Sequence, residues 1–231
     1  MRIAVVVVVA CGSAEPPIEQ PPPPVVRQIK STHELRAPAE VAPYRVGDHG
    51  IEIDGRWLPV TGEGPLAPIA HAFARVPPEL RPLAHALIFS ATASANDDYF
   101  AKKYKMPVKA GMSTAVSGDI TIYPYGMAEL QDEDFFVKNL MHELGHAWSL
   151  VAWQDDPASA TAWRTAIASD ADPPSEYARM SFRSSGAMDE DAAEATALFF
   201  VERGTPDFER YRRRMPARFA LLTARFTSWA R

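Results

Sequence analysis

The stretch His142-Glu143-Leu144-Gly145-His146 places two imidazole rings four residues apart and a carboxylate beside the first of them. An α-helix has about 3.6 residues per turn, so side chains four residues apart leave the same face. Two histidines placed in this way can bind one zinc ion, and the glutamate is then set to hold a water molecule against the metal. The stretch therefore predicts a zinc site on a helix, of the kind that hydrolases use.

The residues on either side favour a helix of about five turns. Asp132, Glu133 and Asp134 put negative charge at its start, where the amide groups of a helix are unpaired. Apolar residues follow at intervals of three and four and predict one buried face: Phe136, Leu140, Leu144, Ala147 and Val151. Gly145 costs about 1 kcal/mol relative to alanine and leaves room for another element to approach closely. The alternative, two surface histidines that flank an acid by chance, does not account for this helical context.

A catalytic zinc site takes three protein ligands and keeps a fourth position open for water. The other histidines all precede the stretch: His33, His49, His71 and His85. Just after it, Ser149 and Ala152 stand where the longer metzincin pattern has a glycine and a third histidine. The downstream sequence contains no histidine, so a third ligand from that side must be a carboxylate.

Residues 188–200 contain the best candidates for this carboxylate. Acidic residues followed by alanines and larger apolar residues predict a second helix there. Glu190 and Glu194 lie one turn apart on the same face, so one can bind the metal while the other accepts the second ring N–H of a histidine ligand and fixes its tautomer. The alternative is that these acids are solvated or complement the helix dipole, the role expected of Asp189.

The HELGH stretch, a downstream E-D-x-A-E at residues 190–194 and an S-x-Y-A at residues 175–178 together resemble a known family. It is the gluzincin metallopeptidases related to the catalytic domain of anthrax lethal factor and to the Pro-Pro endopeptidases. The resemblance covers residues 78–228 and implies a zincin-like fold with Zn²⁺ bound by His142, His146 and Glu190. Glu194, with Asp191, is expected to support these ligands.

The same resemblance implies that Tyr177 stabilises the oxyanion formed during peptide hydrolysis. The segment between this tyrosine and Glu190 is longer than in the family. Tyr123 and Tyr125 are therefore alternatives for the oxyanion role, and each of the three tyrosines could instead be an ordinary half-buried residue.

The remaining patterns predict an α+β fold, with a small mixed sheet packed on the HExxH helix and a mostly helical C-terminal half. Residues 86–89 are a short apolar run typical of a buried strand, with the end of a helix as the alternative. Residues 51–58 predict a hairpin that turns at Asp54-Gly55, and residues 112–116 and 120–123 predict a second one. An exposed strand of the second hairpin could pair with an extended peptide substrate, although a purely structural hairpin is the alternative.

The composition of the chain indicates a globular domain and argues against nucleic acid as a partner. The 231 residues, 47% of them hydrophobic, are enough to bury one sizeable core. The segment from residue 206 to residue 229 carries six arginines: Arg210, Arg212, Arg213, Arg214, Arg218 and Arg225. Because the net charge is −5, this segment indicates a solvated basic helix face and not a nucleic-acid surface.

The first residues resemble a bacterial lipoprotein signal. One basic residue and an apolar run precede Cys11, the single cysteine, and an apolar run this short cannot span a bilayer, which needs about 20 residues. We expect residues 1–11 to be the signal, residues 12–45 a proline-rich linker and residues 46–231 the metallopeptidase domain. A lipid on Cys11 would tether an exported protein to the bacterial cell envelope. The alternative is a β-branched first strand with a buried cysteine.

These observations together predict a zinc metalloendopeptidase in which Glu143 is the general base toward a zinc-activated water. Its substrate would be a peptide or a protein. The alternative is a catalytically silent zincin-fold module that binds a partner at the cell surface. A binding module has no need of a base beside the metal, so the presence of Glu143 favours the enzyme.

Overall fold

The structure is a computed structural model that describes residues 41–104, 109–170, 172–185 and 188–227. Six strands lie in these ranges: β1 (Tyr44–Gly47), β2 (Gly50–Ile53), β3 (Arg56–Thr61), β4 (Ala86–Phe89), β5 (Met112–Thr114) and β6 (Asp119–Ile122). Helices follow the first three strands and make up most of the rest: α1 (Leu66–Arg75), α2 (Asp97–Tyr104), α3 (Pro124–Glu129), α4 (Glu133–Asp155), α5 (Pro157–Ser169), α6 (Glu176–Ser185), α7 (Asp189–Val201), α8 (Pro206–Arg214) and α9 (Pro216–Thr227). The predicted α+β class is confirmed.

The six strands form one mixed sheet in the order β1-β2-β3-β4-β6-β5. Neighbours among β1, β2 and β3 are antiparallel, whereas β4 runs parallel to both β3 and β6. A parallel pair needs a crossover, which α1 supplies between β3 and β4. β5 returns antiparallel to β6, stands at one end of the sheet and contacts α4.

Both predicted hairpins and the predicted strand at residues 86–89 are present, as β2 with β3, β5 with β6, and β4. The first hairpin turns at Asp54 and Gly55, whose φ angles of 53° and 72° lie in the left-handed region. A two-residue turn of this kind needs positive φ at both positions, which an Asp-Gly pair tolerates best.

The HExxH helix, α4, begins where the acidic residues predicted. The side chain of Asp132 accepts a hydrogen bond from the amide of Phe135 at 3.1 Å and so caps the helix. α4 continues for 23 residues, somewhat longer than predicted. α7, the predicted second helix, packs against α4 at Gly145, where no side chain separates the two backbones. Every residue of α7 is buried, so its acidic first turn is not solvated.

The core joins the sheet to α1, α4 and α7. Its members include Phe73 on α1, Leu87 and Ile120 on the sheet, Leu140 on α4 and Leu198 on α7, each at most 1% exposed. Burying such side chains contributes about 1.5–3 kcal/mol each. This packing fixes the face of α4 that carries the histidines between the end of the sheet and α7.

The arginine-rich segment forms two helices, and one of its arginines corrects the prediction of a solvated face. Three arginines of α8 pair with carboxylates at the surface: Arg210, Arg212 and Arg214. Arg218, at the start of α9, is 1% exposed and pairs with Asp170 and Asp191. Its charge can be buried because two carboxylates compensate it, one at the end of α5 and one on α7.

The predicted lipoprotein signal, residues 1–11 with Cys11, lies outside the described residues, as does the linker up to residue 40. β1 begins at Tyr44, close to the predicted start of the domain at residue 46. Within the described ranges no helix combines the length and the apolar character that crossing a membrane requires.

Candidate metal centre

Three predicted ligands meet between α4 and α7. The Nε2 atoms of His142 and His146 are 3.0 Å apart. Glu190 Oε2 lies 3.5 Å from Nε2 of His142 and 3.4 Å from Nε2 of His146. All three residues are buried, with exposed fractions of 5%, 0% and 2%. The two helices therefore form one buried triangle of ligand atoms that could hold a metal ion.

The triangle has the dimensions of one face of a tetrahedral site. Zinc binds imidazole nitrogen and carboxylate oxygen at about 2.0–2.2 Å, which separates neighbouring ligands of a tetrahedron by about 3.3–3.6 Å. The observed edges of 3.0, 3.4 and 3.5 Å lie close to this range. Glu190 Oε2 is buried without a hydrogen-bond partner among the described residues. A buried carboxylate oxygen is costly in that state unless it binds a cation, so the residues present fit a divalent metal.

The electrostatics of the triangle also favour a cation. Burial raises the pKa of Glu190, but the rings of His146 and His142 lower it more, so its pKa falls from 4.5 to about 2. Burial lowers the pKa of His142, whereas the carboxylates of Glu190 and Glu194 beside its ring raise that pKa more, to well above the ordinary value. Glu190 is therefore ionised at neutral pH in spite of its burial.

Glu194 lies behind the triangle, in the place predicted for it. Its Oε1 atom is 3.1 Å from Nδ1 of His142. When Nδ1 donates its proton to this carboxylate, the lone pair of Nε2 is directed toward the other two ligand atoms. The spacing of one turn thus places Glu190 in the triangle and Glu194 behind His142.

Tyr177 contacts the triangle from α6. Its hydroxyl donates to Glu190 Oε1 at 3.0 Å, which leaves Oε2 as the oxygen that faces both rings. Of the alternative tyrosines, Tyr123 has its hydroxyl 2.9 Å from Ser113 Oγ, and Tyr125 is half-buried on α3. The described contacts therefore bring Tyr177 to a predicted ligand, whereas the hydroxyl of Tyr123 is held by Ser113.

Glu143, the predicted base, is 0% exposed. Thr114 donates to its Oε2 atom at 2.6 Å, while Oε1 has no hydrogen-bond partner within the part of the chain that the structure describes. Burial raises the pKa of Glu143, and the charges of His146 and His142 oppose this shift only in part. A raised pKa improves the ability of a carboxylate to accept a proton at neutral pH.

Asp191 does not support a ligand in the way predicted. Both of its oxygens accept hydrogen bonds from Arg218, Oδ1 from Nε at 2.7 Å and Oδ2 from Nη2 at 2.8 Å. Trp163 also donates to Oδ1, at 3.1 Å. Successive residues of a helix are separated by about 100°, so Asp191 leaves α7 on a different side from Glu190. It anchors the first turn of α7 to α5 and α9.

Two groups beside the motif were not predicted from the sequence. Thr114 is one of them, and its only local signal is a polar residue on the inner side of a short strand. The other is Asn139, which donates to the buried carboxylate of Glu129 at 2.9 Å. Asn139 lies four residues before Glu143, on the same side of α4, and this spacing could have marked it.

The arrangement joins a buried triangle of atoms that could hold a metal ion to a buried carboxylate with one oxygen available. Such a pair can bind a divalent cation and exchange a proton beside it. Comparison of the chain with protein-family models, with curated proteins and with solved structures gave no match.

Proposed function

We propose that the protein is a zinc-dependent metalloendopeptidase with a zincin-like fold. His142, His146 and Glu190 hold Zn²⁺ in this proposal, and Glu143 is the general base. The observation that carries it is the triangle of Nε2, Nε2 and Oε2 atoms, whose edges suit tetrahedral zinc, next to a fully buried Glu143. Two imidazoles and one carboxylate are a usual ligand set of catalytic zinc, whereas calcium and magnesium prefer oxygen ligands.

Each residue of the site then has a defined task. A zinc ion held by His142, His146 and Glu190 would lower the pKa of a bound water molecule from 15.7 to about 7 and would polarise the substrate carbonyl. Glu143 accepts the proton of that water and returns it to the leaving amine. Burial raises the pKa of Glu143, which favours its holding the proton between the two steps. Glu194 keeps His142 in the tautomer that presents Nε2.

The position of β5 in the mixed sheet favours a peptide as the substrate. β5 lies at the end of the sheet, antiparallel to its neighbour and in contact with the HExxH helix. The free amides and carbonyls of an edge strand match those of an extended peptide. We propose that the substrate backbone pairs with β5 and so crosses the face of the metal site.

The test combines metal analysis with turnover. Purified protein is analysed for zinc by mass spectrometry and assayed on a general peptide library before chelation, after chelation and after zinc is restored. We expect one zinc per chain and cleavage that depends on it. Glu143→Gln keeps the size of the side chain but cannot take the proton, so zinc stays bound while turnover falls by at least about 10²-fold.

The outcomes separate the two functions that the motif allows. Zinc binding without cleavage of any library peptide would favour the silent binding module. Near-native turnover of Glu143→Gln at full zinc occupancy would exclude Glu143 as the base. Cleavage that survives complete removal of the metal would overturn the proposal itself.

A further inference from the structure

Thr114 connects the end strand of the sheet to the predicted base. Side chains of a strand alternate between its two faces, and in β5 Met112 and Thr114 are buried while Ser113 is only half-buried. Thr114 therefore faces α4. Its Oγ1 atom lies 2.6 Å from Glu143 Oε2 and 3.0 Å from the backbone oxygen of Glu143.

A hydroxyl has one proton and can donate to only one of these two oxygens at a time. The distance of 2.6 Å to Oε2 is within the range of about 2.5–2.7 Å for a hydroxyl bound to an ionised oxygen. The backbone oxygen is the normal acceptor of the helix amide one turn later, so it is satisfied without the hydroxyl. The proton of Thr114 therefore goes to the carboxylate.

The second oxygen of Glu143, Oε1, differs from Oε2 in its hydrogen bonding. Oε1 is buried and lacks a hydrogen-bond partner among the residues that the structure describes. A buried polar atom in this state is uncommon, and a catalytic role is one of its recognised explanations. The two oxygens of the Glu143 carboxylate are thus distinguished: Oε2 accepts a hydrogen bond from Thr114, and Oε1 accepts none from the described residues.

We propose that Thr114 is a positioning residue for Glu143, holding Oε2 so that Oε1 is the oxygen that takes and returns the proton. This inference rests on the peptidase function proposed above. The terminal torsion of a glutamate is broad, so without a partner the carboxylate can turn and exchange its oxygens. Proton transfer needs a fixed geometry, and a misplacement of 1 Å costs about 10²-fold in rate.

Two matched pairs of variants isolate the hydroxyl. Thr114→Val keeps the shape and removes the hydroxyl, while Thr114→Ser keeps the hydroxyl and removes the methyl group. Thr114→Ala, compared with Thr114→Ser, repeats the comparison if the valine variant does not fold. We expect Thr114→Val to lower kcat by about 10–10²-fold, with KM and zinc content unchanged, and Thr114→Ser to stay within a few-fold of the wild type.

A double-mutant cycle tests whether Thr114 acts through Glu143. In a Glu143→Gln background we expect Thr114→Val to cause little further loss, because residues that act as a unit are not additive. Ser117→Ala, which removes an exposed hydroxyl from the turn between β5 and β6, should leave kcat unchanged. A crystal structure of Thr114→Val should show the Glu143 carboxylate rotated away from its wild-type position.

The failures of the two proposals are distinguishable. Wild-type kcat in Thr114→Val, or equal losses in the valine and serine variants, would overturn the role of Thr114 and leave the peptidase intact. Full additivity with Glu143→Gln, or an unmoved carboxylate in the crystal, would do the same. Absence of turnover by the zinc-loaded wild type would overturn the peptidase, and the role of Thr114 with it.

Discussion

Gly145 of α4 lies so close to Ala193 of α7 that a Cβ atom at position 145 would be 2.7 Å from the Cα atom of Ala193. The contact is with backbone, which cannot move aside as a side chain can. It falls between the two histidines on α4 and Glu190 on α7, so the distance between the helices at this point sets the size of the ligand triangle.

Replacement of Gly145 by alanine should therefore destabilise the protein and weaken metal binding together. Overpacking costs about 1–3 kcal/mol, which outweighs the roughly 1 kcal/mol that alanine gains over glycine in a helix. Separation of the helices would also draw Glu190 away from the histidines. Urea unfolding and chelator competition for zinc measure the two effects. Unchanged stability and unchanged zinc affinity would show that the helices are not in contact here.

The two glutamates of α7 should differ in their effect on zinc. Glu190→Ala removes a ligand and should lower zinc affinity outright, whereas Glu194→Ala removes a support of His142 and should weaken binding by about 10–100-fold. Chelator competition on the two variants gives the order. If Glu194→Ala lost zinc and Glu190→Ala retained it, the ligand would be the second glutamate and the assignment would be wrong by one turn.

Tyr177→Phe distinguishes a ligand-holding hydroxyl from an oxyanion donor. The hydroxyl donates to Glu190 Oε1, so its removal should lower zinc affinity, within the 10–100-fold typical of such partners. Tyr123→Phe is the control, since its hydroxyl is bound to Ser113 and its loss should leave zinc affinity unchanged. A Tyr177→Phe variant with full zinc affinity and reduced kcat would instead support the oxyanion role.

Local patterns were enough to predict most of the elements that form the site. The acidic start and apolar spacing of α4, the alanine-rich α7 and the Asp54-Gly55 turn each depend on neighbours within a few residues. The cluster of candidate ligands could be predicted because helix geometry places His142 and His146 on one face, and the downstream sequence leaves only carboxylates as a third candidate.

Contacts between distant residues could not be predicted in this way. Arg218 is paired with Asp170, 48 residues away, and with Asp191, 27 residues away. In the sequence it is one of six arginines in a basic segment, and that composition is typical of a solvated surface. Thr114 reaches Glu143 across 29 residues, and a single threonine in a strand carries no signal of its partner.

The buried arginine should contribute far more to stability than its exposed neighbours. Arg218→Met would leave two buried carboxylates without a counter-charge and should cost about 3–5 kcal/mol. The control is Arg214→Met, whose pair with Asp172 is exposed and should be worth no more than about 1 kcal/mol. Adding Asp191→Asn to Arg218→Met should recover part of the loss in urea unfolding. Equal effects of the two arginine variants would contradict a buried network.

Glu129 should make the protein less stable as the pH rises. Its carboxylate is 9% exposed, accepts a hydrogen bond from Asn139 and has a second oxygen, Oε1, without a hydrogen-bond partner in the described ranges. Burial raises the pKa of Glu129 from 4.5 to about 7, against the opposing effect of the Asn139 hydrogen bond. Between these two values the folded protein keeps a proton that the unfolded chain has released, so stability falls with increasing pH and the full cost is present above pH 7.

Glu129→Gln removes this titration and keeps an acceptor for Asn139. Between pH 5 and pH 8 the wild type should lose stability relative to the variant, by up to about 3 kcal/mol, since each unit of pKa shift corresponds to 1.36 kcal/mol. Urea unfolding of both proteins across this range measures the difference. Glu209→Gln is the control, because the hydrogen bond with Arg212 lowers the pKa of Glu209, so the stability that this carboxylate contributes changes with pH only below 4.5 and stays constant between pH 5 and pH 8. Parallel stability curves for the wild type and Glu129→Gln would mean that the carboxylate is ionised in the folded protein at neutral pH.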